Sequence, residues 1–219
     1  MSKKSSSGRP TWQEVVQKEA YEATLVEAKT RWGLQTPFFN HRWEHVQAVV
    51  RLASRLAELT DADRDVVEAA DWLHDCRKKG RGDNHGDEGG RAARQILAQT
   101  DFPVDKIEAV ADAIAKHIGL YLDEPVEPLE AAVLWDADKL SKLGNTGVLH
   151  YIGDWIATER GTVAQLAEHF ACLEWPERAV NSLHTAPTRA AGQRRLANQL
   201  AFWKQLVWEL GGDDLEEES

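Results

Sequence analysis

An all-α fold is what this chain of 219 residues predicts, and three observations predict it. Apolar residues recur three and four positions apart through most of the chain, the spacing that lays one stripe along a helix. Helix start and stop signals punctuate that pattern. Alternation of apolar and polar residues, the mark of a half-buried strand, does not extend over any useful length, and no segment repeats.

Taken in order, residues 1–10 are polar and Ser-rich and are expected to form a disordered leader. Thr11 followed by Glu14 is a capping-box signal for a helix that runs to Arg31 and stops at Gly33. His45, Val49, Leu52, Ala53 and Leu56 share one face of a second helix. A third starts near Asp63, carries Val66, Val67, Ala70 and Leu73, and ends at Lys78-Lys79-Gly80. The glycine-rich stretch 81–90 reads as a polar loop leading into a helix over 91–99. Asp105 opens the next helix, with Ile107, Val110, Ile114 and His117 on one face. Pro125 and Pro128 mark a turn before the apolar segment 129–143. Further helices are expected near 148–158, 163–173, 176–183 and 188–210, then an acidic, frayed tail over 211–219. One helical domain over 11–210 accounts for the whole pattern. Its C-terminal helices over 160–210 carry no motif; they complete the bundle and are a candidate surface for a homodimer.

Composition narrows the function classes. Hydrophobic residues make up 42% and charged residues 28%, ample for a buried core. A formal net charge of −10 argues against duplex nucleic acid, which needs a basic face, but not against a small phosphorylated substrate beside a bound cation. Cys76 and Cys172 are far apart and lack metal-ribbon spacing, so no disulfide framework is indicated. Without an apolar leader or a run of about 20 apolar residues, neither export nor a membrane span is expected, and the cytoplasm is the default setting.

The chemistry-bearing residues stand out because they are polar where the pattern is apolar. His45 lies on a core-facing stripe, where an imidazole is either bonded to a carbonyl or bound to a metal. His74 and Asp75 are adjacent, so they point about 100° apart on a helix and can grip one ion only at a helix end or a bend. Asp136 and Asp138 sit inside Ala-Ala-Val-Leu-Trp-Asp-Ala-Asp-Lys-Leu, too apolar to carry two carboxylates unless each is paired or metal-bound.

In order, these residues read His45, His74-Asp75, Asp138, and that H…HD…D series resembles the HD-domain superfamily of metal-dependent phosphohydrolases. The surrounding segments are similar too: Arg42-Trp43-Glu44-His45-Val46, Trp72-Leu73-His74-Asp75, and Asp136-Ala137-Asp138-Lys139-Leu140 continued by Leu143-Gly144 and Gly147. The last resembles the DADRLDALGAIG segment of the small bacterial branch. The likeness runs over about residues 36–158 and implies an all-helical fold.

It also implies that His45, His74, Asp75 and Asp138 ligate a divalent metal (Mn, Mg, Fe or Zn), with Asp136 the alternative last ligand. His85 and His117 complete the order seen in two-metal members; each is otherwise a solvated loop residue or a helix-terminal one. The implied activity is hydrolysis of a phosphate ester or anhydride of a nucleotide or another small phosphorylated metabolite by metal-activated water. Asp75 would act as general base, and Lys78, Lys79, Arg81, Lys139 and Lys142 are candidates to stabilise phosphate charge, Lys78 and Lys139 lying nearest the ligands. The alternatives are an HD-fold di-iron oxygenase and a nucleotide-binding sensor without turnover. Two departures bear on the substrate: Arg42 stands where the branch often has an aspartate, and Ser141 where it has a second one. Trp43, Trp72 and Trp135 precede proposed ligands by two or three positions and read as core aromatics, with nucleobase stacking the alternative.

Overall fold

The computed structural model describes residues 9–33, 40–79, 84–158 and 161–215, and among them finds helices and no strand. The ten α-helices are α1 (Trp12–Trp32), α2 (His41–Thr60), α3 (Arg64–Leu73), α4 (Gly86–Leu97), α5 (Ile107–Lys116), α6 (Leu129–Ser141), α7 (Gly144–Thr158), α8 (Val163–Ala171), α9 (Trp175–Asn181) and α10 (Ala186–Gly211). The expected leader falls mainly outside the described residues. Part of the expected tail does not fray: Asp213–Leu215 closes into a short 3-10 turn.

Besides a small cluster of Leu140, Leu143, Val180 and Leu196, where α6, α9 and α10 meet, two packing regions result. In the first, α2 packs on α3 and α6, and α5 on α4, α3 and α6, around buried Val49, Leu73, Ile114, Val133, Leu134 and Trp135. In the second, α7 and α8 pack on α10 around Val148, Leu166 and Trp203, where Phe170 stacks between Tyr151 and Trp203. No helix among the described residues is long and apolar enough to cross a membrane.

Three local expectations are corrected. Thr11 precedes α1 but makes no side-chain capping bond; instead Asp101 Oδ1 accepts from Trp12 N at 2.8 Å. The third helix stops at Leu73 rather than Lys78-Lys79-Gly80, because the chain tightens into turns closed by Cys76 N to Leu73 O and Lys78 N to Asp75 O. The stretch read as a loop to residue 90 is helical from Gly86. A Cβ at Gly86 would stand 2.7 Å from Ala115 O, and one at Gly90 2.8 Å from Ala111 O. Glycine costs about 1 kcal/mol in a helix, which is why the segment reads as loop, yet only glycine lets α4 lie this close to α5.

Candidate functional site

The tightened turn after α3 does what the adjacency of His74 and Asp75 demands: it lets both side chains point into one place. His45 comes from α2, Asp138 from α6, His85 from the start of α4 and His117 from the end of α5. All six are buried. They form two groups, His45 with His74 and Asp138, and Asp75 with His85 and His117, each able to bring one ligand atom per residue within 4.8 Å of the others.

Asp75 joins the groups through its two oxygens. Oδ2 lies 3.6 Å from His74 Nε2 and 3.8 Å from His45 Nε2, while Oδ1 lies 2.8 Å from His85 Nε2 and 3.7 Å from His117 Nε2. His85 Nε2 and His117 Nε2 are 3.1 Å apart.

The histidines are held by their outer nitrogens. His74 Nδ1 is 2.6 Å from Asp71 O and His117 Nδ1 is 2.5 Å from Ile114 O, so each assigns its proton to Nδ1 and turns the Nε2 lone pair inward. His45 Nδ1 meets Ser141 Oγ at 3.1 Å; that hydroxyl donates to Asp138 O, so it accepts from His45. His45 Nε2 and His74 Nε2 are buried without a hydrogen-bond partner, although Asp138 Oδ1 is 3.1 Å from the former. Burial holds His45 and His117 below the usual histidine range and takes His74 down to about 4, so the rings are neutral at physiological pH. Neutral imidazoles with inward lone pairs beside buried carboxylates are a donor set that fits divalent cations.

Cations surround the carboxylates. Asp138 accepts from Lys139 Nζ at 2.5 Å and from Lys142 Nζ at 2.6 and 2.7 Å; Asp75 accepts from Arg42 Nη1 at 2.7 Å and from Lys78 Nζ at 3.5 Å. Burial alone would raise both carboxyl pKa values, but Lys139 and Lys142 hold Asp138, and Lys78 and Arg42 hold Asp75, well below the carboxylate range. Lys139 is itself buried, with its ammonium on His117 O at 2.9 Å and over the Trp135 ring, and burial lowers its pKa to about 8. That places it behind Asp138 rather than facing a substrate. Lys78 and Lys142 are partly exposed at the rim. Lys79 is exposed and pairs with Glu88, and Arg81 lies outside the described residues.

Asp136, the alternative last ligand, is committed elsewhere: it accepts from His184 N, Thr185 N and Thr188 Oγ1 at 2.5 to 2.8 Å, which clasps the start of α10 to α6. Trp72 and Trp135 are core residues, and Trp43 stacks on Trp72 at 5.6 Å. Sequence reading missed Glu27, which α1 buries beside Arg42. The signal was there: Glu27 continues the buried stripe Val16, Ala20, Thr24, the same anomaly that marks Asp136 and Asp138.

The HD domain family model matches residues 42–143, the span from Arg42 on α2 to just past α6. A search of curated proteins found no match. Among solved structures, Bacillus subtilis YpgQ is 21% identical, with 90% of this chain and 98% of that chain covered and a TM-score of 0.62. An HD-superfamily hydrolase from Bacillus thuringiensis is 18% identical over 92% of this chain and 99% of its own, with a TM-score of 0.62. A Lactobacillus plantarum protein is 20% identical over 96% and 100%, with a TM-score of 0.65. At these identities the likeness establishes a shared fold along nearly the full length of each. The family match over residues 42–143 and the ordered H…HD…D segments within it support an HD-domain superfamily member.

Proposed function

We propose that this protein is a metal-dependent phosphohydrolase that cleaves a phosphate ester or anhydride of a nucleotide or another small phosphorylated metabolite. HD-superfamily membership and the two histidine–carboxylate groups support a metal-dependent hydrolase in general. The observation that carries the reading further is Asp75, a buried carboxylate with one oxygen turned to each group. The structure of YpgQ in complex with ADP (21% identity, TM-score 0.59) makes nucleotides the first class to test.

In this reading His45, His74, Asp75 and Asp138 hold one divalent cation, and His85 and His117 with Asp75 hold a second. The cations would supply a water of lowered pKa and polarise a phosphoryl oxygen. Asp75 would orient that water and serve as its proton acceptor. Lys78 and Lys142, at the rim, meet the phosphate charge of the substrate. Lys139, behind Asp138, keeps that carboxylate ionised and fixed.

The test is phosphate and pyrophosphate release from a nucleotide panel, with Mn or Mg restored to chelator-treated protein and Asp75→Ala alongside. Metal-dependent release that Asp75→Ala loses by at least ~10²-fold, as expected from several kcal/mol of metal-derived stabilisation, supports the hydrolase. No release, with an iron pair retained and oxygen consumed alongside a candidate substrate, replaces it with the oxygenase reading.

A further inference from the structure

The HD match begins at Arg42, yet the guanidinium of Arg42 is anchored by a residue outside that match. Glu27, 2% exposed on α1, accepts from Arg42 Nε at 2.7 Å and Nη2 at 3.3 Å, and from Arg31 Nη1 at 2.9 Å. The remaining arm, Arg42 Nη1, donates to Asp75 Oδ2 at 2.7 Å. Arg31 Nη2 in turn lies 3.4 Å from Asp154 Oδ1 on α7. A line of alternating charge therefore runs from α7 through α1 and α2 and ends on the carboxylate shared by the two histidine groups.

A guanidinium is a rigid planar fork, so fixing one edge on Glu27 fixes where the other arm points. Rotation of the Asp75 carboxylate would exchange the directions of its oxygens. Arg42 on Oδ2 and His85 on Oδ1 oppose that rotation from two sides. We infer that Glu27 and Arg42 are positioning residues that hold Asp75 with one oxygen facing each histidine group, the task here of the arginine that stands where related sequences often have an aspartate. The inference rests on the metal reading given above.

Position and charge predict opposite signs. A cation beside a metal site repels the incoming ion, so if Arg42 acted only through its charge, removing it would tighten metal binding. If it holds Asp75, removing it weakens binding by about 10–100-fold, as for other groups that orient a ligand. The measurement is Mn(II) titration of chelator-treated protein, with free Mn read by electron paramagnetic resonance and folding by circular dichroism. Arg42→Gln is expected to weaken Mn binding by that factor. Arg42→Lys keeps the charge but not the fork, and Glu27→Gln loosens the anchor; both are expected to bind Mn more weakly than wild type. Should Arg42→Gln fail to fold because buried Glu27 is left with Arg31 as its remaining partner, the double variant Glu27→Gln/Arg42→Gln removes both charges and is expected to show the same weakening. Unchanged or tighter binding in Arg42→Gln or the double variant overturns the inference, as does Arg42→Lys binding like wild type. If wild-type protein takes up no Mn, the metal reading fails first and this one with it; binding by wild type with no change in the variants rejects this inference alone.

Discussion

Asp136 and Asp138 lie two residues apart on α6, at 0% and 2% exposure, and do different work. Asp136 faces the turn before α10, where two backbone N–H groups and a threonine hydroxyl take up its lone pairs. Asp138 faces α2 and the end of α5, among two ammonium groups and an imidazole nitrogen without a hydrogen-bond partner. Short neutral donors fixed by the backbone complete a carboxylate and make it a clasp. Long cationic side chains keep it ionised while an adjacent lone pair awaits an acceptor of electrons, and that is the makings of a metal site. Burial marks both residues as unusual; only their partners tell them apart.

The sharpest way to break this contrast is to remove each carboxylate in turn. Asp138→Ala is expected to lose Mn binding and at least ~10²-fold in metal-dependent hydrolysis while the protein stays folded. Equal activity in that variant would remove Asp138 from the site. Asp136→Ala should reverse the pattern: a loss of roughly 2–4 kcal/mol in chemical denaturation, from leaving the His184 and Thr185 N–H groups without their acceptor and cutting the Thr188 hydroxyl from α6, with Mn binding preserved in the folded fraction. Loss of Mn affinity there without loss of stability would erase the distinction between the two carboxylates.

A third buried carboxylate sharpens the comparison with a smaller effect. Asp71 has neither clasp nor cation: both oxygens lack a hydrogen-bond partner, and burial, then Glu68 and Asp138, push its pKa well above the carboxylate range. A group whose folded pKa is raised contributes stability that is full below its unfolded pKa and lost as pH rises through the folded value. Asp71→Asn, which resembles the protonated form, should therefore raise Tm at neutral pH by about 2–4 °C, the equivalent of roughly 1 kcal/mol in a chain this size, and change little at pH 4. A lowered Tm at neutral pH would show that Asp71 has a stabilising partner after all.

How much of the candidate site could be read beforehand depended on how local its signal was. His45, Asp136 and Asp138 announce themselves as polar residues on apolar stripes, and His74-Asp75 needed only a helix end, which the turn at residues 74–77 supplies. His85 was named only through the family order, since the glycines around it suggest a loop; what they serve is the close approach of α5, which lies beyond them in the chain. Lys139 looked like a phosphate ligand by proximity in sequence; its position on α6 turns it behind Asp138 instead.

The sequence alone determined that the chain is helical, where most helices begin and end, and which polar residues the core must accommodate. Those follow from periodicity, turn chemistry and the cost of burying charge, all of which act over a few residues. Only the tertiary structure decided that Asp136 clasps α10, that α4 begins at Gly86, and that Glu27 reaches Asp75 through Arg42. Periodicity says which face of a helix is buried but not what it is buried against, and for a buried carboxylate the partner is what sets its role.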